Sequence, residues 1–358
     1  MDEIVADARV VADAMPLTLQ ELMAIQDECM ADDIDIDFAK MSLWDEDTAR
    51  DYFENGGVLP AGAALDAPKP AAAPASAAPL PRVSDEEFKR WFPKWQKPAA
   101  QPKFRLVCFH NAGSSESVWT GRGMRQQTDN PFVVHCRDKG GELLAVELPG
   151  RESRRAEKRE TQLHKYAAAL FPVLAPLLQE AESTPYVVIG HSMGTWLCYE
   201  FLRLLQAKGI PMPAQAVLSG FPAPDIAEAQ RPWSRNAPMD DEAFKDECRG
   251  WDVNAVVFAP ANWGTFSPMM RDDFTLFDAY EHPTAHASSP PFGCALRCYY
   301  AEKDKRVKKE HVEMWQRYGT GSFSVEQVPG NHLFFYDVPA RATYMRKVVE
   351  GLPSPAFA

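Results

Sequence analysis

Six short apolar runs, each followed or preceded by a helix-like stretch, constrain this chain more than any other feature. The strand-like runs are "FRLVCF" (104–109), "LLAVEL" (143–148), "YVVIG" (186–190), "QAVLSG" (215–220), "ALRCYYA" (295–301) and "FSVEQV" (323–328). Between several of them lie helical patterns at 163–181, 194–208 and 309–319. The runs are too uniformly apolar for strands with one wet face. Strands covered on both faces, joined by helices, mean an α/β fold with a mostly parallel central sheet.

The rest of the chain divides by composition. Residues 1–60 hold 16 Asp plus Glu against 3 Lys plus Arg, a net of −13, so the remainder of the −12 total is +1. The acidity thus belongs to an N-terminal extension, residues 1–59, with short amphipathic pieces such as "LTLQELMAIQDECM" and "LWDEDTARDYFENGG". It reads as a flexible or partly helical tail, or as a docking segment whose aromatic residues anchor on a partner such as a synthase, or back on the main domain. Residues 60–83 are nearly all Ala and Pro and read as an extended linker. Ser84-Asp85-Glu86-Glu87 fits a capping box opening a helix with Phe88, Trp91 and Phe92, so the main domain is expected over 84–352.

The totals exclude several classes. There is no basic footprint for nucleic acid and no apolar run near the ~20 residues that span a bilayer. The acidic start does not resemble a secretory signal or transit peptide. The seven cysteines are scattered and odd in number, and the pair Cys294 and Cys298 lacks a second pair for zinc. They read as buried free thiols in a reducing compartment, which together place the protein in the cytoplasm as an expectation.

The third strand-like run ends in Gly190-His191-Ser192-Met193-Gly194 and passes straight into a helical pattern. In G-x-S-x-G the serine sits on a sharp strand-to-helix turn, and close neighbours exclude bulk at the flanking positions. The Met193 N–H at the helix start would face a carbonyl oxygen bound there. A serine hydroxyl needs a base, and on this fold an acid and then a histidine should follow it in the chain. His110, His135 and His164 come too early, and His191 should not reach back to Ser192. His282 and His286 follow no strand, and His311 lies on a helical pattern. His332, in "VEQVPGNHLFF", follows the last strand. "CYYAEKDKRV" offers the acid: Asp304, with Glu302 in reserve. A second oxyanion donor is expected in the loop after an early strand, "CFHNAGSS", and Ala112 is chosen for it.

These motifs resemble the type II thioesterases of the α/β-hydrolase fold, which work beside polyketide and non-ribosomal peptide synthases. Over residues 88–350, "RWFPKW", "RLVCFHNAGSS", "LLAVELPGRESR", "VVIGHSMG", "LSGFPAP", "MMRDDFTLFDAY", "AEKDKRV" and "VPGNHLFF" are similar to the family's motifs, in its order. The resemblance implies Ser192, Asp304 and His332 as a triad, no metal or other cofactor, and an acyl thioester on a phosphopantetheinylated carrier protein or on coenzyme A. It also implies a helical lid, here about 221–290, whose aromatic residues pack on the body or line an acyl tunnel. Asn111 and Ser114 depart from the family's histidine and glycine, and residues 128–142 read as an insertion. Arg151, Arg154, Arg155, Lys158 and Arg159 form a basic run, either solvated or facing a phosphate or acidic carrier. An oxygen-ester hydrolase or lipase of the same fold, an acyltransferase, and a non-catalytic docking protein are the competing readings.

Overall fold

The computed structural model describes residues 79–353 and Phe357, except 99, 122–129, 284–285 and 287–288. The expectations for the acidic extension and for most of the linker lie outside the described residues. Six strands form one parallel sheet: β1 (Arg105–Phe109), β2 (Glu142–Ala145), β3 (Tyr186–His191), β4 (Gln215–Ser219), β5 (Ala295–Ala301) and β6 (Phe323–Val328). Their order is β2-β1-β3-β4-β5-β6, with every neighbouring pair parallel.

Among the described residues nine α-helices accompany them: α1 (Asp85–Trp91), α2 (Ser117–Thr120), α3 (Pro131–Lys139), α4 (Leu163–Leu178), α5 (Met193–Ala207), α6 (Asp241–Gly250), α7 (Pro260–Asp278), α8 (Lys309–Glu313) and α9 (Val338–Glu350). The Ser84 side chain caps α1 by accepting the Glu87 N–H at 3.1 Å. Helix α3 lies in the stretch read as an insertion. It is part of the crossover from β1 to β2, capped by Asn130 and stopped by Gly140 at φ 76°.

Strand residues alternate between two cores. Val107, Phe109, Val188, Ala216 and Leu218 belong to one, with α4, α5 and the lid aromatics. Leu106, Cys108, Val187, Ile189 and Val217 belong to the other, with α3 and α9. Period-2 geometry sends successive side chains to opposite faces; β1, β3 and β4 are buried on both, whereas edge strand β6 is only partly buried and carries Ser324, Glu326 and Gln327. The six described cysteines are buried and free. Among the described residues no helix is long and apolar enough to cross a membrane.

Beyond β2 the chain buries Glu147. Its Oε2 accepts the Glu116 N–H at 3.0 Å, and its Oε1 has no partner. Burial pushes this carboxyl up to about 7, against the opposing pull of the Glu116 N–H and the Arg151 charge. The folded state therefore holds its proton at pH values where the unfolded chain has lost it. Stability is fullest below the unfolded value near 4.5, falls as pH rises toward 7, and stays reduced above it. Glu147→Gln should remove that slope, worth roughly 2–3 kcal/mol between pH 4.5 and 8. Denaturant melts of both proteins across this range test it; parallel curves would refute it.

Candidate active site

The chain leaves β1 for β2 on one side, then crosses back to β3 on the other. Such a switch opens a crevice at the carboxyl ends of the two central strands, where ligands bind in open α/β sheets. The loop His110–Glu116 follows β1 there, and Ser192 follows β3.

Ser192 has φ 52° and ψ −128°, a strained conformation for a residue with a side chain. Its flanking glycines are required by space. A Cβ on Gly190 would lie 2.8 Å from the Gly194 carbonyl oxygen, and one on Gly194 would lie 2.4 Å from that of Phe109. The turn therefore holds the hydroxyl out at the sheet edge while its backbone N–H donates to Ser219 O at 2.8 Å.

Loops after the last two strands supply the partners. His332 Nε2 is 2.8 Å from Ser192 Oγ, and His332 Nδ1 is 2.7 Å from Asp304 Oδ2. A ring nitrogen that close to a carboxylate carries the proton, which leaves Nε2 free to accept from the serine. The other carboxylate oxygen of Asp304 accepts the N–H groups of Arg306 and Val307, each at 2.9 Å. Burial works to raise the Asp304 carboxyl, but the His332 charge and these hydrogen bonds outweigh it and hold it below the usual range. Glu302, two residues earlier, is exposed. All three side chains are buried, Ser192 at 4% and the other two at 2% exposure, so the polar contacts act in a dry setting.

His191 does not turn toward Ser192. Its Nε2–H donates to the His332 carbonyl at 2.9 Å, and its Nδ1 lies 3.0 Å from Ser219 Oγ. Burial first, then the neighbouring His332, drives its basicity down to about 3, so it serves as a neutral strut.

Met193 follows Ser192 at the first turn of α5, and Ala112 lies half-buried in the loop after β1. The next amide in the first loop is already taken: Gly113 N–H donates to Asp273 Oδ2 at 2.8 Å. Asp273 comes from α7 and also holds Arg151 through two bonds, 2.7 and 3.2 Å, while Arg151 donates to Ser114 O at 3.1 Å. The basic run is thus mostly occupied. Arg151 and Arg154 are buried; Arg154 pairs with Glu157 and stacks 4.3 Å over Trp91, and Arg159 pairs with Asp272 at 2.6 Å. A long separation in sequence, 122 residues from Arg151 to Asp273, hid the pairing from a reading of local charge. Asn111 is buried beside Ala112, with its Nδ2 on the Ala112 carbonyl and its Oδ1 unpartnered.

The lid fills the connection from β4 to β5 and carries α6 and α7. Trp233, Phe244, Trp251, Trp263, Met270, Phe274 and Phe277 are buried, whereas Phe266 remains exposed. Most of the aromatic surface packs the lid on the body. Among the described residues no group of three or more His, Cys, Asp or Glu side chains could hold a metal ion.

The profile of the thioesterase domain family matches residues 104–344. The gramicidin S biosynthesis protein GrsT of Aneurinibacillus migulanus is 27% identical over 256 residues, which is 70% of this chain and 90% of that protein. Among solved structures, the RedJ thioesterase from the prodiginine pathway of Streptomyces coelicolor is 28% identical with a TM-score of 0.56, covering 73% of this chain and 92% of that one. The type II thioesterase BorB from the borrelidin biosynthetic cluster is 25% identical with a TM-score of 0.57, covering 72% and 96%.

Proposed function

Since the chain belongs to the thioesterase family, we propose that it is a type II thioesterase acting on acyl groups bound to the phosphopantetheine arm of a carrier protein. Ser192 is the nucleophile, His332 the general base and acid, and Asp304 the group that orients and stabilises the imidazole. The observation that carries this reading is the continuous relay Ser192 Oγ, His332 Nε2, His332 Nδ1, Asp304 Oδ2, with contacts of 2.8 and 2.7 Å.

The chemistry follows from that relay. As Ser192 Oγ bonds to the thioester carbonyl carbon, its proton passes to His332 Nε2. The carbonyl oxygen becomes an oxyanion, met by the N–H groups of Met193 and Ala112. The carbon–sulfur bond then breaks, and the pantetheine sulfur takes the proton from His332. Water next attacks the acyl-serine while His332 accepts its proton; the carbon–Oγ bond then breaks, Ser192 Oγ takes that proton back from His332, and the free acid leaves. The ionised Asp304 stabilises the imidazolium in both halves. Neither half calls for a metal or a redox group. GrsT, RedJ and BorB are proteins of biosynthetic pathways, which supports a carrier-bound substrate here, in editing or product release.

The test is to incubate the full chain with carrier proteins bearing short and medium acyl groups and follow free holo-carrier by mass. Rapid unloading is expected, and the chain-length trend separates editing of short stalled units from release of longer products. Loaded carriers that persist while simple oxygen esters are cleaved would reject the substrate and leave an esterase.

A further inference from the structure

The lid does more than cover the nucleophile. Helix α6 ends at Gly250, and the next two residues turn over the proposed base. The Trp251 ring lies 4.6 Å, centroid to centroid, from the His332 imidazole. Asp252 then reverses the chain at φ 61°, in the left-handed region. Glycine occupies that region at the least cost. Asp stands there instead, and its side chain is in use: Oδ2 accepts the His332 backbone N–H at 3.3 Å, and Oδ1 pairs with Lys305 at 2.6 Å. Because His191 already holds the His332 carbonyl, both polar groups of this residue's backbone are gripped by side chains.

The acid loop is tied to the same part of the lid. The Arg306 backbone N–H donates to Asp304, and its guanidinium pairs with Glu247 at 2.8 Å, donates to the Pro232 carbonyl and lies 5.2 Å over the Trp251 ring. Lid residues 232, 247, 251 and 252 therefore meet the two loops that carry Asp304 and His332. The two loops also touch each other: Gly330, two residues before His332, sits at φ 96°, and its carbonyl accepts the Lys303 N–H at 2.8 Å.

We propose that Asp252 and Trp251 are positioning residues for His332, so that the lid sets the alignment of the general base and not only access to it. The inference rests on reading His332 as that base. The imidazole must stay within hydrogen-bond reach of Ser192, and a displacement of about 1 Å can cost on the order of 10²-fold in rate. The backbone bond from Asp252 removes one direction of drift, and the Trp251 ring blocks another.

The decisive comparison uses full-length Asp252→Gly, Asp252→Asn and Lys305→Ala proteins with an acyl-coenzyme A thioester. Asp252→Gly relieves the backbone and deletes the acceptor. It should lower kcat about tenfold or more, hold KM within about twofold, and leave the thermal midpoint unchanged or raised. Asp252→Asn keeps an acceptor oxygen and tolerates left-handed backbone, so it should recover most of kcat. Lys305→Ala should match the unmodified protein. Full kcat in Asp252→Gly, a rise in KM alone, or an equal loss in Lys305→Ala would overturn the proposal. As a second measure, Trp251→Leu should slow labelling of Ser192 by a fluorophosphonate, which needs the aligned base but no acyl pocket; unchanged labelling counts against the ring's role. His332→Ala, run alongside, separates the two ideas. If it keeps full activity the base assignment fails; if it is inactive while Asp252→Gly is not, only the positioning role fails.

Discussion

Replacing Ser192 with alanine is expected to lower the rate of thioester hydrolysis by about 10⁴-fold or more, since a triad acts as a unit and its nucleophile has no substitute. The hydroxyls that border its turn are otherwise engaged: Thr195 donates to the Ser192 carbonyl, and Ser219 donates to the Gly190 carbonyl. Holo-carrier release measured by mass reads the loss directly. Alanine keeps the left-handed strain at this position, so the thermal midpoint should move little. Ser192→Gly should be equally inactive yet more stable by roughly 1 kcal/mol, because only glycine adopts φ near 52° without penalty. Appreciable turnover by either variant would mean that the acyl group does not pass through this serine.

Asp304→Asn should cost about 10³- to 10⁴-fold in kcat with little change in stability at low pH. An amide nitrogen facing His332 Nδ1 would turn the ring to the tautomer protonated at Nε2, which cannot accept from Ser192. The pH dependence has a definite sign. The Asp304 carboxyl is held below its ordinary value in the fold, so its contribution is present above the unfolded pKa near 3.9 and is lost as pH falls through the lower folded value. The parent should therefore exceed Asp304→Asn in stability at pH 7, and the gap should narrow only below about pH 4, as the folded carboxyl takes up its proton. Denaturant melts at the two pH values check this, and a gap that widened in acid would contradict it.

The sequence was most legible where chemistry imposes local geometry. Glycines at 190 and 194 are demanded by backbone atoms of neighbouring segments, so the turn can be read from five residues. The central strands were legible because both of their faces are dry, although β6 is only partly buried, and β2 stops at Ala145 while "VEL" runs on as irregular chain. Helix α3 escaped because it is weakly amphipathic and buries only Phe132 and Cys136. Arg151 and Arg154, in "GRESRRAEKR", read as solvated charge or as a face for a phosphate or acidic carrier, yet both are buried. Their partners differ in kind: Asp273 is far along the chain, while Trp91 and Glu157 need a particular fold of the loop to meet Arg154. Trp251 and Asp252 carry no local mark at all, since an aspartate at φ 61° looks like any other loop residue until His332 is set beside it.

The relay joins residues 140 apart, and its acid and base follow the last two strands, β6 lying at the sheet's edge. Contacts of such sequence separation form late, after the loops between them have closed. During synthesis the Ser192 turn is complete long before its partners exist, so the growing chain carries an idle hydroxyl. On the proposed mechanism, turnover is expected only once β6 has docked and brought His332 over the crevice. In refolding, recovery of hydrolysis should therefore trail recovery of helix signal, making catalysis itself a reporter of the final edge-strand pairing.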